Sequence, residues 1–143
     1  MGILDSMDIG ANALKAQGLR LDIHAKNVAN VDTPNYVRKI PILTATQGTS
    51  FTGVMSDMQN GFDGNKLIGG VSMDGVIEDP TAGEKIYQPG HPDADKDGYI
   101  RASNVNPMVE MADAMLAQRA YEANLALVNI TRAMALKAVE IGK

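Results

Sequence analysis

The chain has 143 residues, a formal net charge of −4, and neither cysteine nor tryptophan. Without cysteine it has no disulfide framework, thiolate zinc site or thiol nucleophile. An acidic balance with no block of Lys or Arg argues against nucleic acid and against an anionic membrane surface, and no run approaches the ~20 apolar residues that span a bilayer.

Residues 5–30 read as a first helix, with Asp5, Ser6 and Asp8 near its start, where side-chain oxygens accept from orphan amides and favour the helix dipole. Leu4, Met7, Ala11, Leu14, Gly18, Leu21, Ala25 and Val28 follow one another in steps of three and four, the a/d seam of a coiled coil. Large and small residues alternate along that line. It buries little area, and Gly18 costs about 1 kcal/mol relative to Ala, so the helix is marginal alone. Pro34 denies the helix a donor and pushes Thr33 out of helical geometry. The chain therefore turns through Asp32-Thr33-Pro34-Asn35-Tyr36, with Asn35 suited to positive φ.

Residues 36–104 lack helical period. Tyr36 to Leu43 reads as a strand that Pro41 confines to an edge, and Val71 to Ile77 and Glu84 to Tyr87 as further short strands. Asn60-Gly61, Asp63-Gly64 and Gly69-Gly70 mark turns, as does Pro89 to Gly98. The expectation is a small β-rich insertion too poor in apolar residues to be very stable by itself.

Asn106-Pro107 then opens the last helix as N-cap and first helical residue, and 107–141 contains no further Pro and no Gly. Its seam runs Val109, Ala112, Leu116, Ala120, Ala123, Leu127, Ile130, Met134, Ala138, Ile141. A second apolar line holds Leu125, Val128, Leu136 and Val139, with Arg132 falling on it. A helix apolar on two faces needs more than one neighbour. Gln118, Asn124 and Asn129 interrupt it with amides, read either as solvent-exposed or as interhelical hydrogen bonds that set register. The fold class is mainly α with a small β-rich insertion: long N- and C-terminal helices packed as a coiled coil and bundled with neighbouring subunits. Residues 1–35 and 105–143 form the terminal helical parts, with 36–104 between them.

Sites for chemistry are weakly signalled. Asp93-x-Asp95-x-Asp97-Gly98 copies the start of an EF-hand loop, but the twelfth position is Asn104 rather than Glu, the ninth is Arg101, and Pro89 and Pro92 stand where a helix would enter. A polar turn ahead of a strand is the preferred reading. His24 on the first helix and His91 in a loop form no metal-binding pair, and His24 reads as a helix-surface or interface residue. Carboxylates are spread over turns and exposed faces, with no two marked as an acid/base pair. No enzyme, cofactor or metal site is expected.

Three segments carry a specific resemblance. Asn27-Val28-Ala29-Asn30 with Asp32-Thr33-Pro34-Asn35-Tyr36 and Arg38 resembles the N-terminal signature of the bacterial flagellar rod and hook axial proteins, with Asn35 where the family usually has Gly. Tyr87 to Tyr99 with Asn104-Val105-Asn106 is similar to the same family, as are Glu110-Met111, Arg119 to Asn124 and Met134 to Lys137; residues 45–80 carry no such likeness. The resemblance implies a structural subunit of the basal-body rod. Such a subunit leaves through the flagellar type III export apparatus without a cleaved signal peptide, assembles in the periplasm with its own copies and other rod proteins, and transmits motor torque to the hook. A short centre favours the proximal rod over other axial components. The expected assembly interface is Met7, Ala11, Leu14, Gly18, Leu21, Ala25 and Val28 with Leu116, Ala120, Ala123, Leu127, Ile130, Met134 and Ile141, and the signature turn is Asn27, Asn30, Thr33, Pro34 and Tyr36. The competing reading is a secreted calcium-binding adaptor using residues 93–104.

Overall fold

A computed structural model describes residues 3–46 and 70–142. Two long helices bracket short strands: α1 (Ile3–Ala29), β1 (Lys39–Thr46), β2 (Gly70–Glu78), β3 (Lys85–Tyr87), β4 (Tyr99–Arg101) and α2 (Pro107–Ile141). The expected α-rich class with a small β insertion is observed, and the expected strands appear with shifted ends. The first begins at Lys39 rather than Tyr36, because the chain is still turning through Asn35. Among the described residues β1 pairs only with β2, which suits Pro41. β3 and β4 are antiparallel, with Lys85 opposite Arg101, Ile86 opposite Ile100 and Tyr87 opposite Tyr99. The Asn60-Gly61 and Asp63-Gly64 turns, and Gly69, lie outside the described residues.

The chain forms two compact units. The first gathers the described residues of Met1–Gln17, Leu43–Asp74 and Arg119–Lys143. Here Gly10 is buried on α1, and a Cβ at this position would come within 2.6 Å of Val128 Cγ2 on α2. Only a glycine lets the two helices approach so closely. Thr44 and Ser72 share a hydroxyl hydrogen bond of 3.3 Å between β1 and β2.

The second unit comprises Gly18–Ile42 and Gly75–Gln118. Its buried apolar residues are Ile23, Ile100, Val105 and Ala117, a thin core. Gly83 lies hard against the chain before α2: an added Cβ would sit 1.8 Å from the Ala102 carbonyl oxygen. Tyr36 N–H donates to Thr33 O at 3.3 Å, closing a turn with Pro34 second and Asn35 third at φ 59°. Positive φ at the third residue of such a turn requires Gly or Asn. Asn106 Oδ1 accepts from Met108 N–H at 3.0 Å, the expected N-cap of α2.

Burial along each helix is displaced from the apolar line read in the sequence, by one residue or about 100° along α2 and by one or two residues along α1. On α1 the deep positions are Gly10, Ala16, Ile23, His24 and Asn27, whereas Ala11 and Ala25 are exposed and Met7, Leu14, Gly18, Leu21 and Val28 half-buried. On α2, Glu110 and Ala117 are buried, and Asp113, Asn124, Val128, Thr131 and Ala135 continue the line half-buried. Leu116, Ala123, Leu127, Ile130, Met134 and Ile141 are exposed, and Ala120 is half-buried. The deep helix positions are mostly small or polar, with Ile23 the large apolar one, and most of the apolar line of α2 stays exposed beside them.

Candidate functional site

The signature turn and the first turn of α2 meet inside the second unit in a buried polar node. Glu110 is its centre and has no exposure to solvent. Its Oε2 accepts from His24 Nδ1 at 2.7 Å and from Asn27 Nδ2 at 2.8 Å, and its Oε1 accepts from Arg38 Nε at 2.5 Å. Arg38 is also near Asp79 (Nη1 to Oδ2, 3.6 Å) and Asp113 (Nη2 to Oδ2, 3.9 Å). Burial alone would push the Glu110 carboxyl up. The bonds from Asn27, His24 and Arg38, with the Arg38 charge, outweigh it and hold the group below the usual carboxylate value. Glu110 in turn holds Arg38 above its ordinary value, chiefly by that hydrogen bond.

Asn27 uses its whole carboxamide. Nδ2 donates to Lys39 O at 2.7 Å as well as to Glu110, while Oδ1 accepts from Lys39 N–H at 3.0 Å and from Tyr36 O–H at 3.1 Å. The side chain thus pairs with the first residue of β1 as a neighbouring strand's peptide would, and it satisfies both donors and two lone pairs. Burial raises the Tyr36 phenol, with Glu110 adding to the effect. Asn104 plays a matching part from the other side. Its Oδ1 accepts from Arg38 N–H at 2.6 Å and its Nδ2 donates to Thr81 O at 2.7 Å. Asn30 closes the end of α1 by donating to Lys26 O at 2.8 Å, and Thr33 Oγ1 donates to Asn30 Oδ1 at 3.2 Å. Asn27, Asn30, Thr33, Tyr36 and Arg38 of the signature therefore each have a definite side-chain bond.

Of the two readings of His24, helix surface and interface, the surface one fails. The side chain is 3% exposed against Glu110, and its Nε2 is buried with no hydrogen-bond partner. With Glu110 ionised, Nδ1 carries the proton of their shared bond. His24, Glu110 and Asp113 bring ligand-type atoms within 4.8 Å of one another. The set suits a hydrogen-bond node better than a metal: three N–H donors already occupy Glu110, and one belongs to a guanidinium that would repel a cation.

The calcium-like loop is a self-capped turn. Asp95 Oδ1 accepts from Asp97 N–H at 3.0 Å and Tyr99 N–H at 2.8 Å, and Gly98 takes φ 81°. The loop's central carboxylate thus shapes the entry to β4. Of the amides on α2, Asn124 is half-buried and Gln118 and Asn129 are exposed.

Sequence reasoning singled out Asn27, Asn30, Thr33, Pro34 and Tyr36, but it missed that His24, Arg38, Asn104 and Glu110 complete the same structure. The usable signal was that Arg38, Asn104 and Glu110 all fall inside the segments carrying the resemblance.

His24, Asn27, Asn30, Thr33 and Tyr36 on one side of this node, and Asn104 and Glu110 on the other, lie within matches to known protein families, whereas Arg38 lies outside both. The family described as flagella basal body rod protein matches residues 7–36, and that described as flagellar basal body rod FlgEFG protein C-terminal matches residues 96–141. The chain belongs to the flagellar basal-body rod protein family. Among its relatives, the flagellar basal-body rod protein FlgC of Bacillus subtilis is 36% identical over 153 residues. The proteins of the same name from Yersinia enterocolitica and Salmonella typhimurium are each 33% identical over 143 residues. In all three cases the match covers 100% of both chains.

Proposed function

We propose that this chain is a structural, non-enzymatic subunit of the proximal rod of the flagellar basal body. It assembles through the apolar faces of its terminal helices with its own copies and with other rod proteins, and it carries torque along the axis. The observation that carries the reading is the outward apolar surface of α2. Leu127, Ile130 and Met134 are exposed on one line, and Leu125, Leu136 and Val139 on another. Full burial of a side chain of this size is worth about 1.5–3 kcal/mol, so covering two such lines would favour an assembly over the free chain. The buried positions of α2 are Glu110 and Ala117, so contacts within the chain leave the exposed apolar residues for neighbours. Residues Met7 to Val28 of the α1 line would add to the same packing.

A marginal free subunit also suits passage through the type III export apparatus in an unfolded state, followed by ordering on the periplasmic side. No helix among the described residues is long and apolar enough to cross a membrane. Leu127→Asp and Ile130→Asp test the reading, because both positions are exposed in the free chain. The expected result is a subunit with unchanged far-UV circular dichroism that is exported but absent from purified basal bodies, with loss of swimming. Normal incorporation of both variants would overturn it.

A further inference from the structure

The first turns of α2 carry Met108, Met111 and Met115, which are 79%, 54% and 56% exposed. Steps of three and four put them in one row. At about 100° per residue that row lies on the side of the helix away from buried Glu110 and Ala117. Packing within the unit does not call for sulfur there. Farther along the helix the exposed apolar positions are mostly filled by Leu125, Leu127, Ile130 and Leu136, yet three of the four methionines of α2 fall within these eight residues.

We propose that the row is a binding site for a soft monovalent d10 cation, copper(I) in the first instance. Thioether sulfur is neutral and polarisable, needs no deprotonation, and prefers copper(I) to magnesium or calcium. Residues three and four apart hold their Cβ atoms about 5–6 Å from one another. The unbranched side chains have rotatable bonds enough to bring two or three sulfurs onto one ion. Met111 and Met115 lie beyond the first three residues of the helix, where the unfavourable pull of its positive end fades. The chain has no cysteine to compete for such an ion. The site stands apart from the rod reading and does not depend on it.

Silver(I) is the redox-stable probe, added to the full-length chain labelled at the methionine methyl carbons in a buffer free of chloride and thiols. The methyl resonances of Met108, Met111 and Met115 are expected to move together and to saturate at about one equivalent, while zinc(II) leaves them in place. The double variant Met111→Leu with Met115→Leu keeps the face apolar and the helix propensity high. It should bind silver at least about tenfold more weakly with unchanged far-UV circular dichroism, whereas Met134→Leu should bind as the parent does. Undiminished binding by the double variant would overturn the proposal, as would silver shifts as large at exposed Met134 as at the three residues of the row.

Discussion

Glu110→Gln keeps the size of the side chain at the centre of the polar node and removes its charge. The native carboxylate accepts three bonds, from His24 and Asn27 on one oxygen and from Arg38 on the other. A carboxamide has a single acceptor oxygen, so its NH2 must face either Arg38 or the His24 and Asn27 pair, donor against donor. A hydrogen bond to a charged group contributes about 1.5–3 kcal/mol. In addition, Arg38 would be left with only Asp79 and Asp113, at 3.6 and 3.9 Å. Breaking a buried ion pair from one side costs about 3–5 kcal/mol. Because Arg38 is partly exposed, the lower part of that range applies, and we expect a loss of about 3 kcal/mol. Urea unfolding followed by far-UV circular dichroism measures the loss. Hydrogen exchange at the Lys39 amide, which Asn27 Oδ1 holds, reports whether the loss is centred on the node. A change below about 1 kcal/mol, with Lys39 still protected, would refute the claim that Glu110 organises this unit.

Three further outcomes follow from the same geometry. Glu110 has its carboxyl held below the ordinary 4.5, so its contribution is present above that value and is lost as pH falls through the lower folded-state value; Glu110→Gln should flatten this acid limb in a series of unfolding curves, and an unchanged limb would contradict it. Gly83→Ala places a Cβ 1.8 Å from the Ala102 carbonyl oxygen, a clash with backbone rather than with a movable side chain, so it should destabilise the unit by more than about 2 kcal/mol in the same urea assay, whereas Gly90→Ala, with nothing within 4 Å, should change it by less than about 1 kcal/mol. At Asn35, with φ 59°, Gly should be tolerated while Val should cost about 1–3 kcal/mol; equal stability of the two variants would contradict the turn assignment.

Much of the local structure was legible because its causes are local. Pro34 and Asn35 announce the turn, Asn106-Pro107 announces the start of α2, and the apolar period announces both helices. The phase of the helices was not legible. A hydropathy period marks the apolar side of a helix, but the buried positions of the two helices also include Gly10, His24, Asn27 and Glu110, which carry little or no hydrophobic signal. His24 and Glu110 are ordinary surface residues by type, and they are buried because they satisfy one another across 86 positions of sequence. No local window contains that pairing. The same displacement explains why a chain this size leaves so many large apolar residues uncovered: its own folding uses a different face.

A density map of the assembled basal body tests the central claim most directly. The account predicts the Leu127, Ile130 and Met134 line of α2 enclosed by helices of neighbouring subunits, with the Glu110 node intact inside each copy. A rod in which that line faces open solvent, and the subunits touch through other surfaces, would contradict it.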